Sequence, residues 1–220
     1  QCLVGSEMCI RDRDWNMWIF FTIIEWIRRP LWKRPWERWP VQSGKALYVG
    51  LSNYDGKTLS QATSILHEMH CPFVINQNRY SIFDRTVEKN GLKKTTGILK
   101  KGLITFSPLA QGQLTDRYLN GIPEDSRIRT DGRFLKESNL TPERVLQIRE
   151  LNDMAAGRGE KLSEMALGWL LAQQEVTSVL IGASRPQQIL DNIKAIHCAP
   201  FTEEELVRID EIAAEKIQPV

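Results

Sequence analysis

The sequence predicts an α/β fold built on a parallel sheet, and two features of residues 41–220 indicate it. Short apolar runs alternate with longer segments of helical periodicity. Each apolar run also ends in polar residues, which is typical of a (β/α)8 barrel because its site lies at the carboxyl ends of the strands. Since four such units can be counted, we expect the C-terminal half of a (β/α)8 TIM barrel followed by a C-terminal helix. A doubly wound sheet is the alternative, although no GxGxxG follows any predicted strand.

Four runs are predicted as strands because apolar, β-branched and aromatic residues dominate them before each opens into polar residues. They are KALYVGLSN (45–53), CPFVINQNRY (71–80), GLITFSPLAQG (102–112) and TSVLIGAS (177–184). The predicted helices are Lys57–Glu68, Val87–Lys100 with an interruption at Gly97, Pro142–Gly157 and Ser163–Gln174. Because strands and helices alternate, we expect the strands to be parallel.

Two helices near the C-terminus begin with capping sequences. In GASRPQQILDN, Ser184 is the N-cap candidate and Gln187 completes a capping box. Free N–H groups at a helix start attract anions, and Arg185 adds positive charge. This start is therefore either an anion site or a well-capped surface helix. In TEEELVRIDEIA, Thr202 and Glu205 form the box of a C-terminal helix that packs against the sheet.

Charge and cysteine usage narrow the class of protein. Residues 1–40 carry seven Lys/Arg against five Asp/Glu, and the remainder carries 22 against 22, so the body is neutral and nucleic acid is not an expected partner. The four cysteines, Cys2, Cys9, Cys71 and Cys198, are scattered without a CxxC. Neither a disulfide framework nor a zinc site is predicted, and a reducing, cytoplasmic location is expected. The three histidines, His67, His70 and His197, are expected to be structural or solvated, and Trp169 to lie in the core.

The stretch MWIFFTIIEWIRRPLWKRPWERWPVQ (17–42) holds five of the seven tryptophans. Its apolar part, Met17–Trp26, is too short for a membrane span, which needs about 20 residues. Tryptophan with Lys/Arg suits an interfacial helix, but three prolines, Pro30, Pro35 and Pro40, would break that helix. No membrane partner is expected, and a membrane-surface anchor is the alternative.

Three stretches together resemble the C-terminal half of an aldo-keto reductase: VQSGKALYVGLSNY, FSPLAQGQLTDRYLNGIPEDSR and TSVLIGASRPQQILDNIKAI. The most similar branch contains glyceraldehyde-3-phosphate reductases and voltage-gated potassium channel β-subunits, and the resemblance covers about residues 41–220. It implies NADPH-dependent reduction of a small aldehyde or ketone, such as a phosphorylated triose, on a (β/α)8 barrel. A cofactor-binding regulatory subunit is the alternative class, and homo-oligomerisation of the full-length parent is left open.

The resemblance also implies an NADP site at the strand ends. Ser52, Asn53 and Gln77 would hold the nicotinamide carboxamide, and Phe106 would lie against the nicotinamide ring. The residues implied for the pyrophosphate are Ser107, Pro108, Leu109 and Gln111, with Arg117 and Arg127 from the following loop. Those implied for the adenosine and its 2′-phosphate are Gly182, Ser184, Arg185, Gln188, Asp191 and Asn192.

No catalytic residue is assigned. The resemblance places the catalytic aspartate, tyrosine and lysine in the first half of the barrel and the histidine on the strand just before residue 41. When residues 14–39 are back-translated and read in a shifted frame, the permitted codons include a reductase strand with histidines, and LVGSEMCIRD (3–12) looks like a translated sequencing adapter. We therefore expect an adapter-like tail (1–13), a frame-shifted segment (14–40) and a reductase segment (41–220), and we expect the chain as printed to be inactive.

Overall fold

The computed structural model describes residues 18–23, 46–71, 73–124, 126–130 and 135–214. These residues form two compact units. Unit 1 takes in the described residues of Gln1–Arg79, Thr86–Phe106 and Glu175–Ser178. Unit 2 takes in those of Tyr80–Arg85, Ser107–Gln174 and Val179–Val220.

A five-stranded sheet organises unit 1, with its strands in sequential order from β1 to β5. The strands are β1 (Trp18–Ile23), β2 (Ala46–Ser52), β3 (Phe73–Arg79), β4 (Gly102–Phe106) and β5 (Val176–Val179). The pairs β1–β2, β2–β3 and β3–β4 are parallel. The α/β class and the parallel sheet are thus confirmed. A doubly wound sheet reverses its strand order at a switch point, so the sequential order favours consecutive strands of a barrel.

Apolar side chains of the strands are covered by the helices of unit 1, which are α1 (Gly56–Glu68), α2 (Thr86–Lys89) and α3 (Leu92–Ile98). Val49, Leu51 and Leu103 are fully buried. Helix α1 begins where Asp55 Oδ1 accepts a hydrogen bond from the Thr58 N–H at 2.7 Å, which satisfies one of the free donors of its first turn.

The helix predicted over 87–100 is two helices, and its break lies at Gly91 rather than Gly97. Gly91 has a φ of +75°, which is left-handed and favours glycine. Asn90 Oδ1 accepts from the Leu92 N–H at 3.0 Å and so supports the new start. A Cβ on Gly56 of α1 would lie 2.6 Å from the Gly91 carbonyl oxygen. Close approach of α1 to this break therefore requires a glycine at position 56.

Unit 2 contains the remaining helices: α4 (Arg127–Thr130), α5 (Pro142–Gly157), α6 (Leu162–Leu171), α7 (Pro186–Ile193) and α8 (Glu203–Ala213). Trp169 of α6 is 2% exposed and meets the Tyr80 ring edge-to-face at 5.4 Å, which confirms its place in the core. The capping box of α8 is also confirmed, because the Glu205 N–H donates to Thr202 Oγ1 at 3.2 Å and the Thr202 N–H donates to Glu205 Oε2 at 2.9 Å.

Strand β1 is a fifth strand, beyond the four β/α units counted in the sequence. Its residues, Trp18–Ile23, belong to the tryptophan-rich stretch and pair in register with β2. Aromatic and β-branched residues suit a strand, so this part of the stretch is not the interfacial helix considered above. The rest of residues 1–45 lies outside the described ranges, and the frame-shift hypothesis stays a prediction. None of the helices in the described ranges has the length and apolar character required to span a bilayer.

Candidate cofactor site

Three residues implied for the nicotinamide lie together at the carboxyl ends of β2 and β3. Ser52 and Gln77 are register partners. Ser52 is fully buried and its Oγ donates to the Gln77 carbonyl oxygen at 2.9 Å, while the Asn53 N–H donates to the same oxygen at 3.0 Å. The sequence therefore joins the ends of two strands through polar groups, which places Ser52, Asn53 and Gln77 side by side.

The side chain of Gln77 has an unused acceptor. Gln77 is 8% exposed, and its Oε1 has no hydrogen-bond partner within the described part of the chain. A buried amide oxygen without a partner is costly, typically by about 1–3 kcal/mol. An N–H donor of a ligand would satisfy this oxygen, which is what a carboxamide offers.

Phe106 lies on the same face of the sheet as Gln77. Arg79 of β3 is the register partner of Phe106 on β4, and residues two apart on a strand share a face. The Arg79 guanidinium lies 5.8 Å from the centroid of the Phe106 ring. The half-buried Phe106 ring and the Gln77 side chain thus lie on one face of the sheet, on neighbouring strands.

Asn53 adopts a left-handed backbone with a φ of 59°, and Asn78 holds it there. Asn78 Oδ1 accepts from the Asn53 N–H at 3.1 Å and from Asn76 Nδ2 at 2.7 Å. Asn78 Nδ2 donates to the Tyr54 carbonyl oxygen at 3.1 Å. Neither Asn76 nor Asn78 was predicted as part of the site. A signal was present in INQN, since buried amides on a strand need partners.

Unit 2 contains a cavity of about 550 Å³, within the usual size range of small-molecule sites. Ten residues implied for the pyrophosphate and adenosine line it: Ser107, Pro108, Leu109, Gln111, Arg117, Gly182, Ser184, Gln188, Asp191 and Asn192. Eight further lining residues were not predicted: Gly112, Thr115, Asp116, Tyr118, Lys161, Ser163, Leu180 and Ile181. Arg185 is not among the lining residues, the Arg127 side chain lies outside the described ones, and the residues implied for the nicotinamide belong to unit 1.

The loop after β4 reaches the cavity through an unusual backbone. Ser107, Ala110 and Gln111 have φ values of 53°, 48° and 61°, all left-handed although none is glycine. Such conformations cost of the order of 1–3 kcal/mol each and cluster at functional sites. Gln111 Nε2 donates to Ser107 Oγ at 2.9 Å, which links the two ends of the turn. The loop therefore holds a strained shape at the residues implied for the pyrophosphate.

The start of α7 differs from the prediction by one residue. Arg185 is the N-cap, not Ser184, because Pro186 occupies the first helical position. The capping side chain is Gln188, not Gln187. Gln188 Oε1 accepts from the Ser184 N–H at 2.8 Å, from Ser184 Oγ at 3.1 Å and from the Arg185 N–H at 3.1 Å. The donors at this helix start are thus gathered around one oxygen of Gln188, a residue that lines the cavity.

Asp191 is the centre of an ion-pair cluster at the same cavity. Its carboxylate accepts from Lys161 Nζ at 2.8 Å and from Lys194 Nζ at 3.0 Å, and Gln187 Nε2 donates to it at 3.2 Å. The hydrogen bond from Lys161, followed by those from Lys194 and Gln187, holds the pKa of Asp191 well below its usual range. Asp191 therefore stays ionised at neutral pH.

Metal binding and thiol chemistry each require a particular arrangement of histidine, cysteine or carboxylate side chains. No group of three His, Cys, Asp or Glu side chains in the described ranges is arranged to hold a metal ion. Burial raises the pKa of Cys71, and burial followed by the charge of Glu160 raises the pKa of Cys198 to about 11. Both thiols are therefore weak nucleophiles at neutral pH.

Comparison with known proteins gives consistent matches. Residues 40–214 match the sequence model of the Aldo/keto reductase family. An L-glyceraldehyde 3-phosphate reductase of Escherichia coli O157:H7 is 46% identical over 178 residues, which cover 80% of this chain and 51% of that protein. A putative voltage-gated potassium channel subunit beta of Schizosaccharomyces pombe is 34% identical over 178 residues, covering 78% of this chain and 52% of that protein. The chain thus spans about half the length of the curated relatives it matches.

The fold has a solved counterpart. A thermostable aldo-keto reductase, solved in complex with the inhibitor epalrestat, superposes with a TM-score of 0.61 at 23% identity. The match covers 90% of this chain and 60% of that one. It supports the predicted barrel segment as a fold.

Proposed function

Because this chain belongs to the aldo/keto reductase family, we propose that the full-length protein reduces a small aldehyde or ketone with NADPH. A phosphorylated triose is the first substrate to test, since two relatives, 46% and 45% identical, are named L-glyceraldehyde 3-phosphate reductase. A cytoplasmic location suits such chemistry and agrees with the reduced cysteines expected from the sequence.

One observation carries the proposal: the cavity of about 550 Å³ is lined by residues from both segments that the resemblance links to the cofactor. The loop after β4 contributes Ser107 and Arg117, and the start of α7 contributes Ser184 and Gln188. Hydroxyls, amide groups and a guanidinium are the donors that a pyrophosphate and an adenosine phosphate need. The lining of this cavity therefore fits the phosphate-bearing part of a dinucleotide.

The strand ends of unit 1 carry groups that suit a nicotinamide. The unpartnered Oε1 of Gln77 would accept a hydrogen bond from the carboxamide nitrogen, while the buried Ser52, whose Oγ donates to the Gln77 carbonyl oxygen, would help to hold this strand end in place. Phe106 would pack against the ring and limit which face is open to the substrate. When bound, NADPH would supply the hydride, while these side chains orient the nicotinamide.

The proton donor is proposed to come from residues outside 41–220. In the family, a tyrosine with a pKa lowered by a lysine gives the proton, and a histidine orients the substrate. We propose that the tyrosine and lysine are encoded in the first half of the reductase gene, and that the histidine is encoded in the frame-shifted segment, where the shifted frame permits histidines. The chain as printed would then bind NADPH without turning over a carbonyl substrate.

Two measurements test the proposal. Titration of the chain with NADPH, followed by nicotinamide fluorescence, is expected to show saturable binding. Resequencing of the locus is expected to restore a reductase frame through residues 14–40, and the protein from the corrected gene is expected to oxidise NADPH with an aldehyde panel that includes L-glyceraldehyde 3-phosphate. An intact frame that encodes the tryptophan-rich segment as written would contradict the frame-shift hypothesis.

A cofactor-binding regulatory subunit is the second candidate. The 34% identity to a putative potassium channel β-subunit favours it. Such a protein would bind NADPH with the same residues, so binding alone does not separate the two candidates. Tight NADPH binding by the corrected protein without turnover of any aldehyde in the panel would favour the regulatory role, and its co-purification with a channel protein would support that role.

A further inference from the structure

Lys161 lines the cavity, although no pattern in the sequence assigned it a role. It immediately precedes α6, where its backbone N–H donates to Glu164 Oε2 at 3.0 Å and closes the first turn of the helix. This bond fixes the backbone of Lys161, while its side chain stays 58% exposed. The Lys161 ammonium group, which donates to Asp191 at 2.8 Å, therefore lies on a largely exposed side chain at the cavity.

A dinucleotide phosphate bound in the cavity would bring more negative charge than Arg117 alone can balance. Arg117 and Lys161 are the two cationic residues among its described lining, and Asp116 and Asp191 are the two acidic ones. A dinucleotide with a 2′-phosphate brings a pyrophosphate and a monoester, and a phosphate monoester alone carries about 1.5 to 2 negative charges at pH 7. A lysine ammonium is a common point-charge partner of phosphate.

Lys161 can leave Asp191 without leaving that carboxylate unpaired. Lys194 Nζ and Gln187 Nε2 would still donate to Asp191, at 3.0 and 3.2 Å. The hydrogen bond to Asp191 also raises the pKa of Lys161, so its ammonium group is charged at neutral pH. Asp191 therefore holds the Lys161 ammonium group beside the cavity, and the bonds from Lys194 and Gln187 would remain if Lys161 moved away.

We infer that Lys161 binds a phosphate group of the dinucleotide, moving from Asp191 to the phosphate when the cofactor enters. This assignment rests on the proposed cofactor function. It adds a second cation to Arg117 among the described residues that line the cavity.

Lys194 provides a matched control for the test. Both lysines bond to Asp191 and both side chains are 58% exposed, but Lys194 does not line the cavity. The dissociation constants of NADPH and NADH are measured by nicotinamide fluorescence for the unaltered chain and for Lys161→Gln, Lys161→Arg and Lys194→Gln. Thermal unfolding of each variant checks that it is folded.

Lys161→Gln is expected to weaken NADPH binding by roughly tenfold, the effect of one lost charge-assisted hydrogen bond. Lys161→Arg is expected to restore most of the affinity, and Lys194→Gln to change it by less than about twofold. A loss confined to NADPH identifies the 2′-phosphate as the partner, whereas an equal loss for NADH identifies the pyrophosphate.

Equal losses in Lys161→Gln and Lys194→Gln would overturn the inference, because the effect would then pass through Asp191. Unchanged NADPH affinity in Lys161→Gln would overturn it as well. Failure of the unaltered chain to bind either nucleotide is a different result, which would contradict the proposed function itself.

Discussion

Asn78 is a buried amide with three hydrogen bonds, of which two connect β3 to the turn after β2 and one lies within β3. It holds the Asn53 N–H, the Asn76 side chain and the Tyr54 carbonyl oxygen at once. Asparagine tolerates the left-handed backbone at position 53 better than most residues do, but the neighbouring amide fixes that conformation. The residue next to Gln77 thus supports the implied nicotinamide site without facing it.

Asn78→Ala is expected to lower the free energy of unfolding by about 2–3 kcal/mol, because it leaves buried polar groups without partners. Urea denaturation measures this loss. The exposed Asn120 provides the control, since Asn120→Ala is expected to change stability by less than about 0.5 kcal/mol. If Asn78 also positions Asn53, Asn78→Ala weakens NADPH binding, and the double variant with Asn53→Ala binds no worse than Asn53→Ala alone. Equal losses of stability in Asn78→Ala and Asn120→Ala would contradict the structural role of Asn78.

Asp191 gives the site a pH dependence with a definite sign. Its folded pKa lies below the usual range through its bonds from Lys161, Lys194 and Gln187, whereas the unfolded chain binds the proton near pH 4. Below that pH the unfolded state holds more protons, so the stability from Asp191 is present above about pH 4 and is lost as the pH falls.

Asp191→Asn is therefore expected to destabilise the chain near pH 7, and its difference from the unaltered chain is expected to shrink between about pH 4 and pH 2. Urea denaturation at a series of pH values measures this difference. Glu164 lies 3.9 Å from Lys194 and is present both in the unaltered chain and in Asp191→Asn, so its own protonation contributes to both measurements. A difference that stays constant down to pH 2 would show that the ion pairs of Asp191 do not stabilise the fold.

Local sequence could indicate some of these residues and not others. The cap of α7 was placed one residue early because Ser184 is the better capping type, while Pro186 decides where the helix begins. Lys161 could not be found from local pattern, since its partner Asp191 is 30 residues away in sequence. Contacts of this kind arise from packing of α6 with α7 rather than from residue spacing.

At the scale of elements, Arg158 joins the end of α5 to the start of α8. Its side chain is 8% exposed and bonds to Glu160 at 3.1 Å, to Glu205 at 2.5 Å and to the Ala199 carbonyl oxygen at 2.6 Å. Its guanidinium also lies 4.2 Å from the centroid of the Phe201 ring. The sequence predicted α5 from its helical pattern and α8 from its capping box, but it did not predict the arginine that connects them.

Arg158→Ala is expected to lower the free energy of unfolding by about 3 kcal/mol, because it leaves two partly buried carboxylates without their partner. Arg208 of α8 is the control, since it also forms two ion pairs, with Glu150 and Glu211, but is 53% exposed. Arg208→Ala is expected to cost less than about 1 kcal/mol. Chemical denaturation of both variants provides the measurement, and similar costs would refute the structural role of Arg158.

At the scale of the whole molecule, the sheet was largely predictable because its strands are short apolar runs in sequential order. Strand β1 was not predicted, since the tryptophan-rich stretch has no reductase pattern in the printed frame. Pairing of Trp18–Ile23 with β2 needs only β-forming residues beside an open parallel edge. If the frame-shift hypothesis holds, the run as written occupies the place of a reductase strand, and resequencing of the locus tests this.

Helix α7 and the turn after it carry an exposed apolar stripe. Ile189, Leu190, Ile193 and Ile196 are 45%, 58%, 49% and 64% exposed. Their spacing of one, three and three residues places them on one side of the helix and its extension. Single exposed apolar residues are ordinary, whereas a contiguous group favours contact with other molecules.

We expect the chain to self-associate as its concentration rises, and the double variant Leu190→Lys with Ile193→Lys to reduce this association, as measured by light scattering. Val207 of α8 is 56% exposed and lies outside the stripe, so Val207→Lys adds a charge without altering the stripe. If added charge alone reduced association, Val207→Lys would reduce it by about half as much as the double variant, which adds two lysines. We expect it to have little effect, because the attraction that drives association scales with the contiguous apolar area that two molecules can bury.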